Sequence, residues 1–144
     1  VFLDANILIA AAIEPEGGSS MICGLPGVVL VTNEQAAKEA WDNLVSARAR
    51  WDPARCRERL LALLSTMEVH ASGVDRSSFL FCPWALSDPD DVPILMSAIG
   101  TACRYLVTSD VACFGRYYGQ TLEGVTVLSV SKFLRLMRRA EGTG

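Results

Sequence analysis

Histidine is almost missing from this chain. His70 stands alone, with no second imidazole and no paired serine to work with, which excludes a catalytic triad built on it. No two cysteines form a C-x-x-C pair, and their odd number (Cys23, Cys56, Cys82, Cys103, Cys113) argues against both a zinc site and a disulfide framework. Reduced thiols packed as small hydrophobes are expected. No apolar run approaches the roughly 20 residues of a membrane-spanning helix, although 51% of residues are hydrophobic and the mean hydropathy is +0.29. That excess is assigned to a large core, with room for a dimer or partner face. A basic segment is missing before the apolar opening VFLDANILIAAAI, and Asp4 and Asn6 interrupt it. Export is therefore not expected, and the cytoplasm is the expected location. The chain opens on Val1 without an initiating Met, so a few residues upstream are expected. Positive charge is short as well: 13 Lys and Arg against 16 Asp and Glu leave a net charge of −3 and a pI of about 5.1. Any nucleic-acid surface must be local.

What is present is an alternation. At 144 residues the chain fits one domain, 1–144, long enough to bury a core. Val1 to Leu3 reads as a buried strand ending at Asp4, and Ile7 to Ile13 as the helix after it. Glu14 to Ser20 is turn-rich, with Ser19 or Ser20 a cap for a brief second helix before Gly24. Val28 to Val31 has strand composition, and Thr32 and Asn33 supply cap chemistry for a helix to about Arg48. Asp52 and Pro53 start another, whose apolar face is Leu60, Leu61, Leu63 and Leu64. Met67 to His70 is a short strand, and Ala71 to Leu86 a mixed connection holding Phe79, Phe81 and Trp84. Asp90 or Asp91 caps a helix to Ala102, with Ile94, Leu95, Ala98, Ile99 and Ala102 inward. Tyr105 to Thr108 is a strand, Gly115 to Gly124 a loop, Val125 to Leu128 the last strand, and Ser131 to about Arg139 an amphipathic helix. Such a pattern predicts a parallel α/β sheet with helices on both faces, binding ligands beyond the carboxyl ends of its strands.

Four acids from distant segments fall on that rim: Asp4 and Asp110 at strand ends, Asp91 at a helix start, and Glu39 on a helix between the small residues Ala36 and Ala40. Glu34 has a separate explanation as a partner of the helix dipole. Two carboxylates about 5 Å apart repel by roughly 3 kcal/mol at an effective dielectric near 20, so such a cluster protonates or takes up a cation. Oxygen donors without His or Cys favour Mg²⁺ or Mn²⁺. An ion of that kind beside a phosphodiester polarises the phosphoryl oxygen and activates water, which points to hydrolysis. The hydroxyls of Thr108 and Ser109 are placed to fix carboxylate rotamers, and Asp90 to support the helix start. Arg48, Arg50, Arg55, Arg57 and Arg59, against Asp52 and Glu58, make a local excess of 5 − 2 = 3 positive charges. They are read either as a solvated helix face or as a phosphate-tracking patch.

Val1 to Asn6 (VFLDAN), Thr32 to Glu39 (TNEQAAKE), Asp88 to Leu95 (DPDDVPIL) followed by Ala98, Thr108 to Asp110 (TSD), and Gly124 to Leu128 (GVTVL) followed by Phe133 stand in an order and spacing that resemble a PIN domain. That family is the metal-dependent nuclease fold of many bacterial and archaeal toxins. The resemblance implies a three-layer α/β/α sandwich on a mostly parallel central sheet. It also implies catalytic and metal-binding roles for Asp4, Glu39, Asp91 and Asp110, a supporting one for Asn6, and RNA as substrate. For toxin members it further implies a homodimer and an antitoxin that inserts into the site. A catalytically silent module that keeps the fold and binds RNA or a protein is the alternative. A receiver-like phosphoryl-transfer domain fits poorly, since Asn6 and not a second acid follows Asp4 and no Lys follows the later strands before Lys132.

Overall fold

In a computed structural model, residues 1–45, 50–71 and 92–142 are described. Arg48, Cys82, the aromatics Phe79, Phe81 and Trp84, and the acids Asp88, Asp90 and Asp91 lie outside them. Six strands, β1 (Phe2–Leu3), β2 (Val31–Asn33), β3 (Glu68–His70), β4 (Tyr105–Val107), β5 (Thr121–Leu122) and β6 (Val125–Leu128), form one sheet in the order β3-β2-β1-β4-β6-β5. All neighbours are parallel except β5 and β6. The chain runs outward from β1 through β2 to β3, then crosses back to lay β4 on the other side of β1. The strand order therefore reverses between β1 and β4, and the loops after these two strands open a crevice there.

Phe2 and Leu3 are fully buried because β1 is central and covered on both faces. On one face α1 (Ala5–Ile13), α3 (Glu34–Leu44) and α4 (Pro53–Leu64) pack on one another, and α2 (Gly18–Cys23) joins α1 to α7 (Val130–Gly142). The crossing from β3 back to β4 runs in the opposite sense, so a right-handed connection puts α5 (Val92–Gly100) on the other face, against β2 and β4. The result is a three-layer α/β/α sandwich. Seven helices belong to it among the described residues, the short α6 (Val111–Phe114) being the first element after β4. One apolar cluster from Phe2 to Phe133 fills the space between layers. Among the described residues no helix is long and apolar enough to cross a membrane. Cys23, Cys56, Cys103 and Cys113 are free thiols, the last three buried, as expected of small hydrophobes.

Several expectations shift. The second strand is Val31–Asn33, not Val28 to Val31: Val29 is 61% exposed, and pairing of Val31 with Phe2 and of Asn33 with His70 sets the register. The cap of α2 is Gly17, which offers no side-chain bond, while Ser20 Oγ donates to the Glu14 carbonyl at 2.6 Å. On α4 the buried residues are Cys56 and Leu60; Leu61 points outward at 55% exposure. Ala102 is exposed and left-handed (φ 55°), past the end of α5, so it faces no core. The stretch read as a loop after Gly115 carries a 3-10 turn (Gly115–Tyr117) and β5. Its two-residue connection to β6, Glu123 and Gly124, has positive φ at both positions (49° and 85°), the backbone of a tight hairpin.

Candidate functional site

Asp4 follows β1 and caps α1, its Oδ1 accepting the Ala5 N–H at 2.7 Å. It is only 3% exposed. Its Oδ2 accepts the Thr108 hydroxyl at 2.8 Å and, more weakly, Asn6 Nδ2 at 3.4 Å. Thr108, fully buried just past β4, uses the same Oγ1 to accept the Asp110 N–H at 3.1 Å. Asn6 closes the arrangement from the other side, with Oδ1 accepting the Ser109 N–H at 3.1 Å. Asp110 caps α6 through Oδ1, which takes the Cys113 N–H at 3.1 Å. Asp4, Asn6, Thr108, Ser109 and Asp110 are thus brought together across the crevice between β1 and β4, Asp4 and Asp110 each just past a strand as expected.

The electrostatics follow from burial. Loss of solvent pushes the Asp4 carboxyl above its ordinary range; the Thr108, Ala5 and Asn6 donors pull it back, and the charge of Asp110 adds to the rise. Tyr118, which sequence reasoning left in a loop, donates its hydroxyl to the Thr108 carbonyl at 2.8 Å. Burial, and then the charges of Asp110 and Asp4, push its phenol above the ordinary range. No local pattern marks Tyr118, since its partner, the Thr108 carbonyl, lies ten residues back along the chain. Asn33 was read only as a cap. It caps α3 through Ala36 N–H at 2.8 Å and also donates to Ser97 Oγ on α5 at 2.9 Å, tying two helices beneath the rim.

Glu39 is exposed on α3, which starts at Asn33 on the rim; six residues at about 1.5 Å each carry Glu39 about 9 Å along the helix. Among the described residues no three His, Cys, Asp or Glu side chains gather to hold a metal ion. Asp90 and Asp91 lie outside the described residues. Of the arginine cluster, Arg57 stacks 4.3 Å over the Trp41 ring and Arg59 donates to the Ala11 carbonyl at 3.4 Å, while Arg50 and Arg55 are exposed. An open groove of ≈ 340 Å³ runs from Asn6 along α1, past Ile9 and Ile13, to Trp51.

Two adjacent carboxylates, one of them buried and resisting ionisation beside the other, suit a hard divalent cation, which relieves their repulsion. Mg²⁺ in particular is commonly held by one or two carboxylates, with waters and phosphate oxygens completing its shell. Fold and site together define a doubly wound α/β domain with an acidic pair at its switch point. No protein-family model matches the chain, and no curated protein matches it significantly.

Proposed function

We propose that the chain is a ribonuclease dependent on a divalent metal, Mg²⁺ or Mn²⁺, that hydrolyses RNA phosphodiester bonds as its resemblance to PIN domains implies. One observation carries the reading: a buried carboxylate, Asp4, faces a second, Asp110, where this architecture binds ligands. Asp4 and Asp110 would hold the ion, with Asp91 and Glu39 the further acids assigned by the resemblance. When bound, it supplies charge that polarises a phosphoryl oxygen and eases the ionisation of water. The chain's own contribution is preorganisation. Thr108 and Ala5 N–H hold the two Asp4 oxygens in one orientation, and Asn6 ties that carboxylate to the backbone of Ser109. The water oxygen adds to phosphorus, the bond to the leaving ribose oxygen breaks, and that oxygen departs with a proton. The narrower form of the reading is the toxin of a toxin–antitoxin pair, a cytoplasmic homodimer whose antitoxin covers the acids.

Cleavage of end-labelled RNA tests this. Activity with Mg²⁺ or Mn²⁺ that disappears in EDTA and in Asp4→Asn and Asp91→Asn is expected; metal-independent cleavage surviving both substitutions refutes it. Glu39→Gln decides whether the α3 acid takes part. The alternative is a silent module that keeps the fold and binds RNA or a protein. Calorimetry separates the two, since a protein that binds the ion in its folded state melts higher when the ion is added.

A further inference from the structure

We propose that the outer face of α7 is the track along which a single-stranded RNA backbone reaches the Asp4–Asp110 site, with Lys132 the contact nearest the acids. The choice of RNA as ligand rests on the ribonuclease reading. The track itself rests on where the charge lies. The whole chain carries −3, yet α7 holds Lys132, Arg135, Arg138 and Arg139 against Glu141 alone, an excess of 4 − 1 = 3 positive charges. All four cations are exposed, while Phe133 anchors the opposite side of the helix in the core at 1% exposure.

At about 100° per residue, Lys132, Arg135 and Arg139 fall within an arc of about 60° and form a line about 10 Å long. One end of that line lies over the Tyr118 ring. Lys132 Nζ lies 5.8 Å from the centre of the Tyr118 ring. The Tyr118 hydroxyl holds the Thr108 carbonyl, and the Thr108 hydroxyl holds Asp4. A polyanion approaching two carboxylates on an acidic molecule needs cations beside them, and α7 supplies them in a row. The arginine cluster of residues 48–59 serves this purpose less well. Arg57 stacks on Trp41 and Arg59 bonds to Ala11, which places both in packing.

The test is fluorescence anisotropy with a labelled single-stranded RNA in EDTA, so that binding is read without cleavage, across about 50 to 200 mM salt. The wild type is compared with the triple variant Lys132→Gln, Arg135→Gln, Arg139→Gln and with the double variant Arg50→Gln, Arg55→Gln. Each phosphate contact on a single strand contributes about 0.7 to the slope of log affinity against log salt, so the triple variant loses about 2 of slope. Across that fourfold salt range the wild type then weakens about 20-fold more than the triple variant. The double variant keeps the wild-type slope. A triple variant with the wild-type slope, an equal loss in both variants, or no RNA binding by the wild type at the lowest salt overturns the proposal. A chain that binds through α7 but does not cut with Mg²⁺ or Mn²⁺ supports the track and sinks the ribonuclease reading; a chain that cuts while the triple variant binds normally does the reverse.

Discussion

Replacing Thr108 with valine keeps the shape of a fully buried side chain and removes one hydroxyl. That hydroxyl donates to Asp4 Oδ2 at 2.8 Å and accepts the Asp110 N–H at 3.1 Å, so its loss touches both acids at once. A hydrogen bond to a charged group is worth about 1.5–3 kcal/mol, and a donor left without its partner costs about 1–3 kcal/mol. Both bonds share one oxygen and do not add, which puts Thr108→Val at about 3 kcal/mol of lost stability. For a domain of this size that is a drop of about 6–12 °C in Tm. The loss depends on pH. Burial already raises the Asp4 carboxyl in the folded state, and the Thr108 bond opposes that rise, so the variant's carboxyl is raised further. A carboxyl raised on folding carries no penalty below its unfolded value and the full penalty above its folded one. The variant and the wild type therefore converge as the pH falls toward 3.8, the ordinary value, and separate toward neutrality. Urea denaturation at several pH values measures this, with Thr108→Ser restoring the hydroxyl and most of the stability. A loss under about 0.5 kcal/mol, far below the worth of a charged hydrogen bond, or a loss of equal size at every pH, refutes the reasoning.

Asp4→Asn removes a carboxylate that burial and Asp110 hold above its ordinary range, and asparagine caps helices as well as aspartate does. The variant melts higher than the wild type at neutral pH, an advantage that fades as the pH falls to 3.8, while metal-dependent cleavage is lost; a lower melting temperature at neutral pH contradicts this. Asn33→Ala removes the α3 cap and the bond to Ser97 together, and calorimetry is expected to register a loss of about 1–2 kcal/mol, the range of buried caps. A neutral outcome there means that the Asn33 bridge between α3 and α5 carries no weight.

What the sequence determined by itself were features whose partners lie close along the chain. Asn33 and Asp52 each accept a backbone N–H within three residues, so their caps and the helices behind them were legible locally. The alternation of short apolar runs with amphipathic ones carried the layered fold, because burial on both faces demands such composition. The amphipathic pattern of α7 was equally plain, from the buried Phe133 to the exposed Arg138 and Arg139. Tertiary structure alone decided where β2 begins, since its register is set by Phe2 and His70 and not by its own β-branched residues. It turned Leu61 outward and made Cys56 a core residue, a matter of how α4 rotates against its neighbours. The same holds at the site. The Thr108 bond to Asp4 spans 104 positions, and the Tyr118 hydroxyl reaches the Thr108 carbonyl ten positions away. That Asp110 joins Asp4 follows from strand order, which comes into being only when the sheet is assembled.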